Sequence, residues 1–177
     1  RKLSVTATLC ISCQVFCPES LTLTTAFDDA DECLEILPAS HLVTLPVCAC
    51  RKEFTLMDDV NLADFSRYSS IAVPRAELRL SDCRLMNEKA IIKGDAVLHL
   101  LAETTDGLLE NADCVLPFTQ IVEAEGMKDD GQLSVRFAVR HLDAELRDDG
   151  LISVGLGVSV LLTAFETLTL QTIEDVY

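Results

Sequence analysis

Apolar and polar residues alternate with a period of two through much of the chain. Ile92, Gly94, Ala96, Leu98, Leu100 and Ala102 share one parity, and Lys93, Asp95 and His99 share the other. Successive side chains of a strand point to opposite faces, so this run predicts a half-buried strand. It ends at Thr104-Thr105-Asp106-Gly107, and Asp-Gly predicts a tight hairpin from which Leu108 to Phe118 returns. Leu133, Val135, Phe137 and Val139 alternate with Ser134, Arg136, Ala138 and Arg140. After Arg140 the apolar set becomes Leu142, Ala144 and Leu146, a one-residue phase slip that predicts a β-bulge. Asp148-Asp149-Gly150 predicts a second tight turn, and a long strand follows from Leu151 to Phe165. The stretch from Gly150 to Phe165 has no charged side chain and reads as a strand buried on both faces. It is too short to span a bilayer. Leu3 to Phe16, rich in Leu, Val, Thr, Ile and Cys, also reads as a buried strand. Ala76, Leu78 and Leu80 form one more alternating run, and Phe54 to Leu62 a weaker one. Helical signal is confined to Asp28–Leu37, where Asp28-Asp29-Ala30-Asp31-Glu32 could cap a short helix with Cys33, Ile36 and Leu37 on its apolar face; a loop fits equally well. The expectation is an all-β protein: a sandwich or barrel-like antiparallel domain of about seven to eight strands.

The two ends of the chain resemble each other. Leu3-Ser4-Val5 matches Ile152-Ser153-Val154, and Phe16 matches Phe165 at the same offset. Glu19-Ser20-Leu21-Thr22-Leu23 matches Glu166-Thr167-Leu168-Thr169-Leu170 once Cys17 and Pro18 are taken as an insertion, and Thr25 and Asp28 match Thr172 and Asp175. Similarity at a fixed offset is the mark of repeated units. The reading that follows is one complete unit preceded by the last strand of another: residues 1–29 a terminal or donor strand, 30–72 a connecting segment with partial structure, 73–177 the β domain. The extra strand needs cover for its backbone and its apolar side chains. It could pack within its own fold, belong to an upstream domain, or complete the sheet of a neighbouring chain. The candidate donor residues are Leu3, Val5, Ala7, Leu9, Ile11 and Val15. Donor and acceptor surfaces differ, so the last arrangement would give a head-to-tail polymer.

Composition narrows the function. The 177 residues are 49% hydrophobic, enough for a sizeable core and incompatible with wholesale disorder. With 14 Lys and Arg against 29 Asp and Glu, the net charge is -15. Such a surface repels phosphate backbones and anionic lipid heads, so neither nucleic-acid binding nor membrane insertion is expected. The sequence begins at Arg1 with no visible signal peptide, and reads as a processed product, a fragment or the ordered part of a longer chain.

Eight cysteines, Cys10, Cys13, Cys17, Cys33, Cys48, Cys50, Cys83 and Cys114, are many for this length. They are candidates for disulfide cross-links within or between chains, with no pairing legible from sequence, or for buried thiols. Cys10-x-x-Cys13 with Cys48-x-Cys50 could offer four thiolates to zinc. Positions 10 and 13 of a strand point to opposite faces, however, and no glycine knuckle is near. The acidic groups Asp28-Asp29-Ala30-Asp31-Glu32, Asp58-Asp59, Asp129-Asp130-Gly131 and Asp148-Asp149-Gly150 lack the spacing of a calcium loop and read as solvated turns. His41, His99 and His141 accompany no nucleophile elbow and no glycine-rich phosphate loop. No catalytic residue, metal site or cofactor is expected.

The stretch from about Asn87 to Phe165 resembles the SPOCS domain of SipL-type spore proteins. The resemblance rests on Asn87-Glu88-Lys89-Ala90-Ile91-Ile92-Lys93-Gly94, similar to a family strand ending in Lys/Glu-Gly, and on Leu116-Pro117-Phe118-Thr119-Gln120-Ile121, similar to its Pro-Phe-Ser/Thr segment. Gly126-Met127 stands as the following turn, Leu133–Arg147 and Ile152–Phe165 resemble the closing strands, and Phe54-Thr55-Leu56 with Val73–Leu85 resembles the inter-repeat segment. The resemblance implies a non-enzymatic protein of endospore-forming bacteria, located at the spore coat or spore surface. It would associate with itself or with other coat proteins. The cysteines, which are not a general feature of the family, tilt the reading toward a self-associating structural member, a filament for instance. A SipL-like adaptor tethering coat proteins is the alternative, and a cysteine-based zinc module a third.

Overall fold

The computed structural model describes residues 3–13, 15, 17–26, 35–61, 67–127 and 131–177. They contain no α-helix and six strands: β1 (Ile36–Asn61), β2 (Tyr68–Met86), β3 (Lys89–Thr104), β4 (Leu109–Glu123), β5 (Gln132–Leu146) and β6 (Leu151–Val176). β1 lies where the sequence reading expects a connecting segment. The chain forms two compact units, residues 42–168, and residues 1–41 with 169–177.

The larger unit is an antiparallel sandwich. One sheet has the order β1-β6-β5 and the other β2-β3-β4. The hairpins follow from local chemistry. Asn87 and Glu88 take positive φ, 51° and 58°, the pair of left-handed residues that a two-residue type I′ turn requires. Glu88 is an unusual occupant of that region. It is anchored there by Ala124 N–H donating to its carbonyl at 2.8 Å and Gly126 N–H donating to its Oε1 at 3.0 Å. Gly107 (φ 77°) closes the β3–β4 turn and Gly150 (φ 83°) the β5–β6 turn, as the two Asp-Gly pairs predict. The register of β5 on β6 shifts between Val139 and His141, so the phase slip after Arg140 is a bulge. The register shift in β2 between Leu80 and Asp82 corrects the sequence reading. Ala76 and Leu78 pack against the core, but Leu80 is exposed, and Cys83 and Leu85 take over the inward positions.

The core follows the period of two. In β3, Ile92, Ala96, Leu98, Leu100 and Ala102 are buried, and in β6 so are Ile152, Val154, Leu156, Val158, Val160, Leu162 and Ala164. Around Val158 the strand is buried on both faces: Gly157 lies under the His141 ring, and Ser159, 7% exposed, accepts a hydrogen bond from Arg51 Nε at 3.0 Å. The buried residues form two clusters, and Phe54 of β1 and Phe137 of β5 pack against both. Phe118 of β4 stands between them, its ring centroid 5.5 Å from Phe54 and 5.6 Å, edge-on, from Phe137. Such ring pairs add to the area they bury. Phe118 sits opposite Gly94 in the β3–β4 ladder. The Gly94 and Phe118 segments of the family-like pattern therefore describe one contact, an aromatic ring laid over a bare backbone.

In the smaller unit the ends of β1 and β6 pair: Glu35 and Tyr177 exchange backbone hydrogen bonds of 3.0 and 2.8 Å, and Ser40 Oγ donates to Gln171 Oε1 at 2.8 Å. The described residues of 3–26 have no regular structure. This corrects the expectation of a buried strand from Leu3 to Phe16. A strand needs a ladder partner, none is paired with this segment, and Leu3, Leu9 and Ile11 are 85–90% exposed. Of the stretch Asp28–Leu37, read as a short helix or a loop, residues 28–34, with Cys33, lie outside the described residues, while Ile36 and Leu37 open β1. Phe16 is likewise outside them.

A methyl group added at Gly94 would meet Phe118 Cζ at 2.5 Å and the Arg79 carbonyl oxygen at 2.6 Å. Backbone cannot yield as a side chain can. Gly94→Ala is expected to destabilise the protein by about 1–3 kcal/mol in urea unfolding. Gly157→Ala, whose nearest contacts would be side-chain atoms of His141, is expected to cost less.

Candidate assembly interface

The two sheets leave different gaps at their two sides. β2 and β5 approach each other on one side, with Cα atoms within 8 Å. On the other side, β1 and β4 are the outer strands of their sheets and border a cleft of about 630 Å³. Cys48, Cys50, Arg51 and Lys52 line it from β1, and Ile121, Val122 and Glu123 from β4. Lys52 reaches across this seam, its Nζ donating to the Ile121 carbonyl at 2.8 Å.

The parity of β4 shows which backbone groups face the seam. Ala124, one residue past the strand, donates its N–H toward the β2–β3 turn. Pro117 has no N–H to give to β3, and the Ile121 carbonyl is reached by Lys52. Residues of even number therefore ladder to β3. Asn111, Asp113, Val115, Thr119, Ile121 and Glu123 turn their N–H and C=O groups outward. Prolines sit at sheet edges because they cannot donate to a ladder, and β1 carries two of its own, Pro38 and Pro46. These prolines are the signal by which both edges could have been found from sequence, and the reading of the alternation passed over them.

The thiols divide into two sets. Cys10, Cys13 and Cys17 are exposed; Cys48, Cys50, Cys83 and Cys114 are half-buried, and all seven are free. Cys48 and Cys50 share the inward face of β1, with sulfurs 4.0 Å apart, and pack against the cluster that contains Val122 and Leu162. Burial pushes the Cys48 thiol up to about 11, and the neighbouring Cys50 adds to the shift. Burial likewise raises the Cys83 and Cys114 thiols, helped by the adjacent charges of Asp82 and Asp113.

The remaining candidates stay apart. His99 Nδ1 lies 3.0 Å from Asp113 and its Nε2 4.0 Å from Glu77 on an exposed face; His41 pairs with Thr172 at 3.2 Å; His141 covers Gly157. Asp58, Asp59, Asp143 and Glu145 border an open cleft of about 640 Å³, where Arg147 pairs with Asp59 at 2.9 Å. Among the described residues no group of three or more His, Cys, Asp or Glu is placed to hold a metal ion. No helix among them is long and apolar enough to cross a membrane.

A thiol titrating near 11 is about one part in a thousand thiolate at pH 8. Iodoacetamide at pH 8 is therefore expected to modify the exposed Cys10, Cys13 and Cys17 well before Cys48, with the lag at Cys48 shrinking as the pH is raised toward 11. Peptide mass mapping of timed samples reads this out, and equal rates at pH 8 would contradict the burial of Cys48.

No curated protein and no solved structure matches the chain. Residues 72–147 match the family model described as SipL, SPOCS domain. The matched span runs from β2 to the end of β5 and holds both Gly94 and Phe118. Over this span the chain is similar to the SipL SPOCS-domain family.

Proposed function

We propose that the chain is a structural, non-catalytic protein of the spore coat or spore surface whose copies join head to tail, residues 3–15 of one adding as a strand to the next. The SPOCS family is tied to sporulation and is of the structural or adaptor type. The finer reading rests on one observation. At an offset of 149, Leu3, Val5, Ala7, Leu9 and Ile11 correspond to Ile152, Val154, Leu156, Val158 and Val160 (152 − 3 = 149). The five residues of β6 are each no more than 2% exposed, whereas their N-terminal counterparts lie open to solvent. A segment with the pattern of a fully covered strand gains roughly 25 cal/mol for each Å² of apolar surface that a partner removes from water. Its backbone can at the same time ladder onto an edge. Because donor and acceptor differ, addition propagates into a filament instead of closing a dimer.

The family match itself favours a second reading, a SipL-like adaptor that stays soluble alone and binds another coat protein. The two separate on truncation. The full chain is expected to gain mass with concentration in light scattering and to form filaments or sheets in negative-stain electron microscopy. Deleting residues 1–16 is expected to leave a monomer with the same β-sheet circular dichroism. Assembly of the truncated chain at the rate of the full chain would overturn strand addition and leave the adaptor.

A further inference from the structure

We infer that the acceptor for this strand is the β1–β4 seam of a second copy, and that Cys13 of the donor is locked there to Cys48 or Cys50 of the acceptor by a disulfide. The inference rests on the strand-addition reading and adds to it a site and a covalent bond.

Three observations converge on the seam. Its two bordering strands each present an outer edge, and the β4 edge, 15 residues long, is about the length of the donor segment. At its outer rim Lys52 reaches across: displacing Lys52 Nζ from the Ile121 carbonyl frees that acceptor for a donor N–H. The seam opens onto apolar core, since Cys48, Cys50 and Val122 belong to one packed cluster. An added strand could therefore bury one face while laddering along its edge.

The donor has the matching pattern. Leu3, Val5, Ala7, Leu9, Ile11, Cys13 and Val15 fall on one parity, and Ser4, Thr6, Thr8, Cys10 and Ser12 on the other. The apolar parity turns inward on addition, and Cys13 is its only thiol before Val15. At the offset of 149, Cys13 stands where β6 has Leu162, which is fully buried. Cys10 is carried on the polar parity and points away from the acceptor thiols. Residues 3–17 carry no charge, so the segment can approach a copy of net charge -15 without the repulsion that separates the rest of the two surfaces.

The covalent step needs a disulfide oxidant, for which oxidised glutathione serves. The Cys13 thiolate attacks one glutathione sulfur, forming a mixed disulfide and releasing one reduced glutathione. A thiolate at Cys48 or Cys50 then attacks the Cys13 sulfur and expels the second. Two protein thiols are oxidised, one glutathione disulfide is reduced to two thiols, and the S–S bond joins two chains.

The test uses the full chain, an equal mixture of ¹⁵N-labelled and unlabelled protein, incubated with oxidised and reduced glutathione. Non-reducing electrophoresis is expected to show a ladder that collapses with dithiothreitol. Peptide mapping is expected to find the Cys13 peptide linked to the Cys48/Cys50 peptide in mixed-isotope pairs. Replacing Cys48 and Cys50 with Ser, or Cys13 with Ser, is expected to remove the ladder while light scattering still shows concentration-dependent association. Links found only between like isotopes would mean that the segment folds back on its own chain, and would overturn the inference. So would a ladder carried only by Cys10 or Cys17. Association that needs residues 1–16 but yields no Cys13 link would overturn the seam and leave strand addition standing. A full chain that stays monomeric at every concentration would overturn both.

Discussion

The contact on which the sandwich depends is the Phe118 ring lying over Gly94. A strand residue without a side chain normally weakens a sheet. Here the missing side chain is what lets the ring approach β3, and the Arg79 carbonyl of β2 also comes within a distance no Cβ could share. From that position Phe118 reaches Phe54 and Phe137, which belong to the opposite sheet, and it bridges the two apolar clusters. Interiors are close-packed, so moving this ring would disturb both clusters at once. The aromatic content is only 5%, and these three phenylalanines concentrate much of it at the point where the layers meet.

Local pattern carried most of the fold. The alternation of Ile92 to Ala102, the Asp-Gly turns and the bulge after Arg140 were all legible, because each depends on neighbours in sequence. What was not legible depends on neighbours in space. Leu80 looked like a core residue until the β2 irregularity turned it outward, and nothing in the residues around it announces that shift. The segment from Leu3 to Phe16 shows the limit most clearly. Its composition is that of a buried strand, and its described residues are exposed because composition does not supply the ladder partner. The candidate interface was half visible. The donor residues and the Cys48–Cys50 pair stood out in the sequence. The reach of Lys52 across the seam did not, because it depends on how the two sheets stack, and the β4 edge was marked only by Pro117.

The thiols show how one residue type takes different chemistry from its setting. Cys10, Cys13 and Cys17 lie in water, while Cys48, Cys83 and Cys114 are partly withdrawn from it and hold their protons more tightly. Reactivity follows the thiolate, so burial makes Cys48, Cys83 and Cys114 reluctant nucleophiles. A count of eight cysteines conveys none of this division.

Pro117 falls near the middle of β4, on the parity that faces outward. Its missing N–H interrupts the outer edge, leaving two short hydrogen-bonding stretches on either side of a silent position. Sheets that stack indiscriminately, as in amyloid, do so along long, uninterrupted edges. An edge broken in this way is a poor template for arbitrary strands. It also acts as a register mark, since an incoming chain must bring to that point a carbonyl that water or a side chain can satisfy. The same residue that protects the isolated sandwich from sticky encounters would thus fix how far along the edge a matched strand can slide.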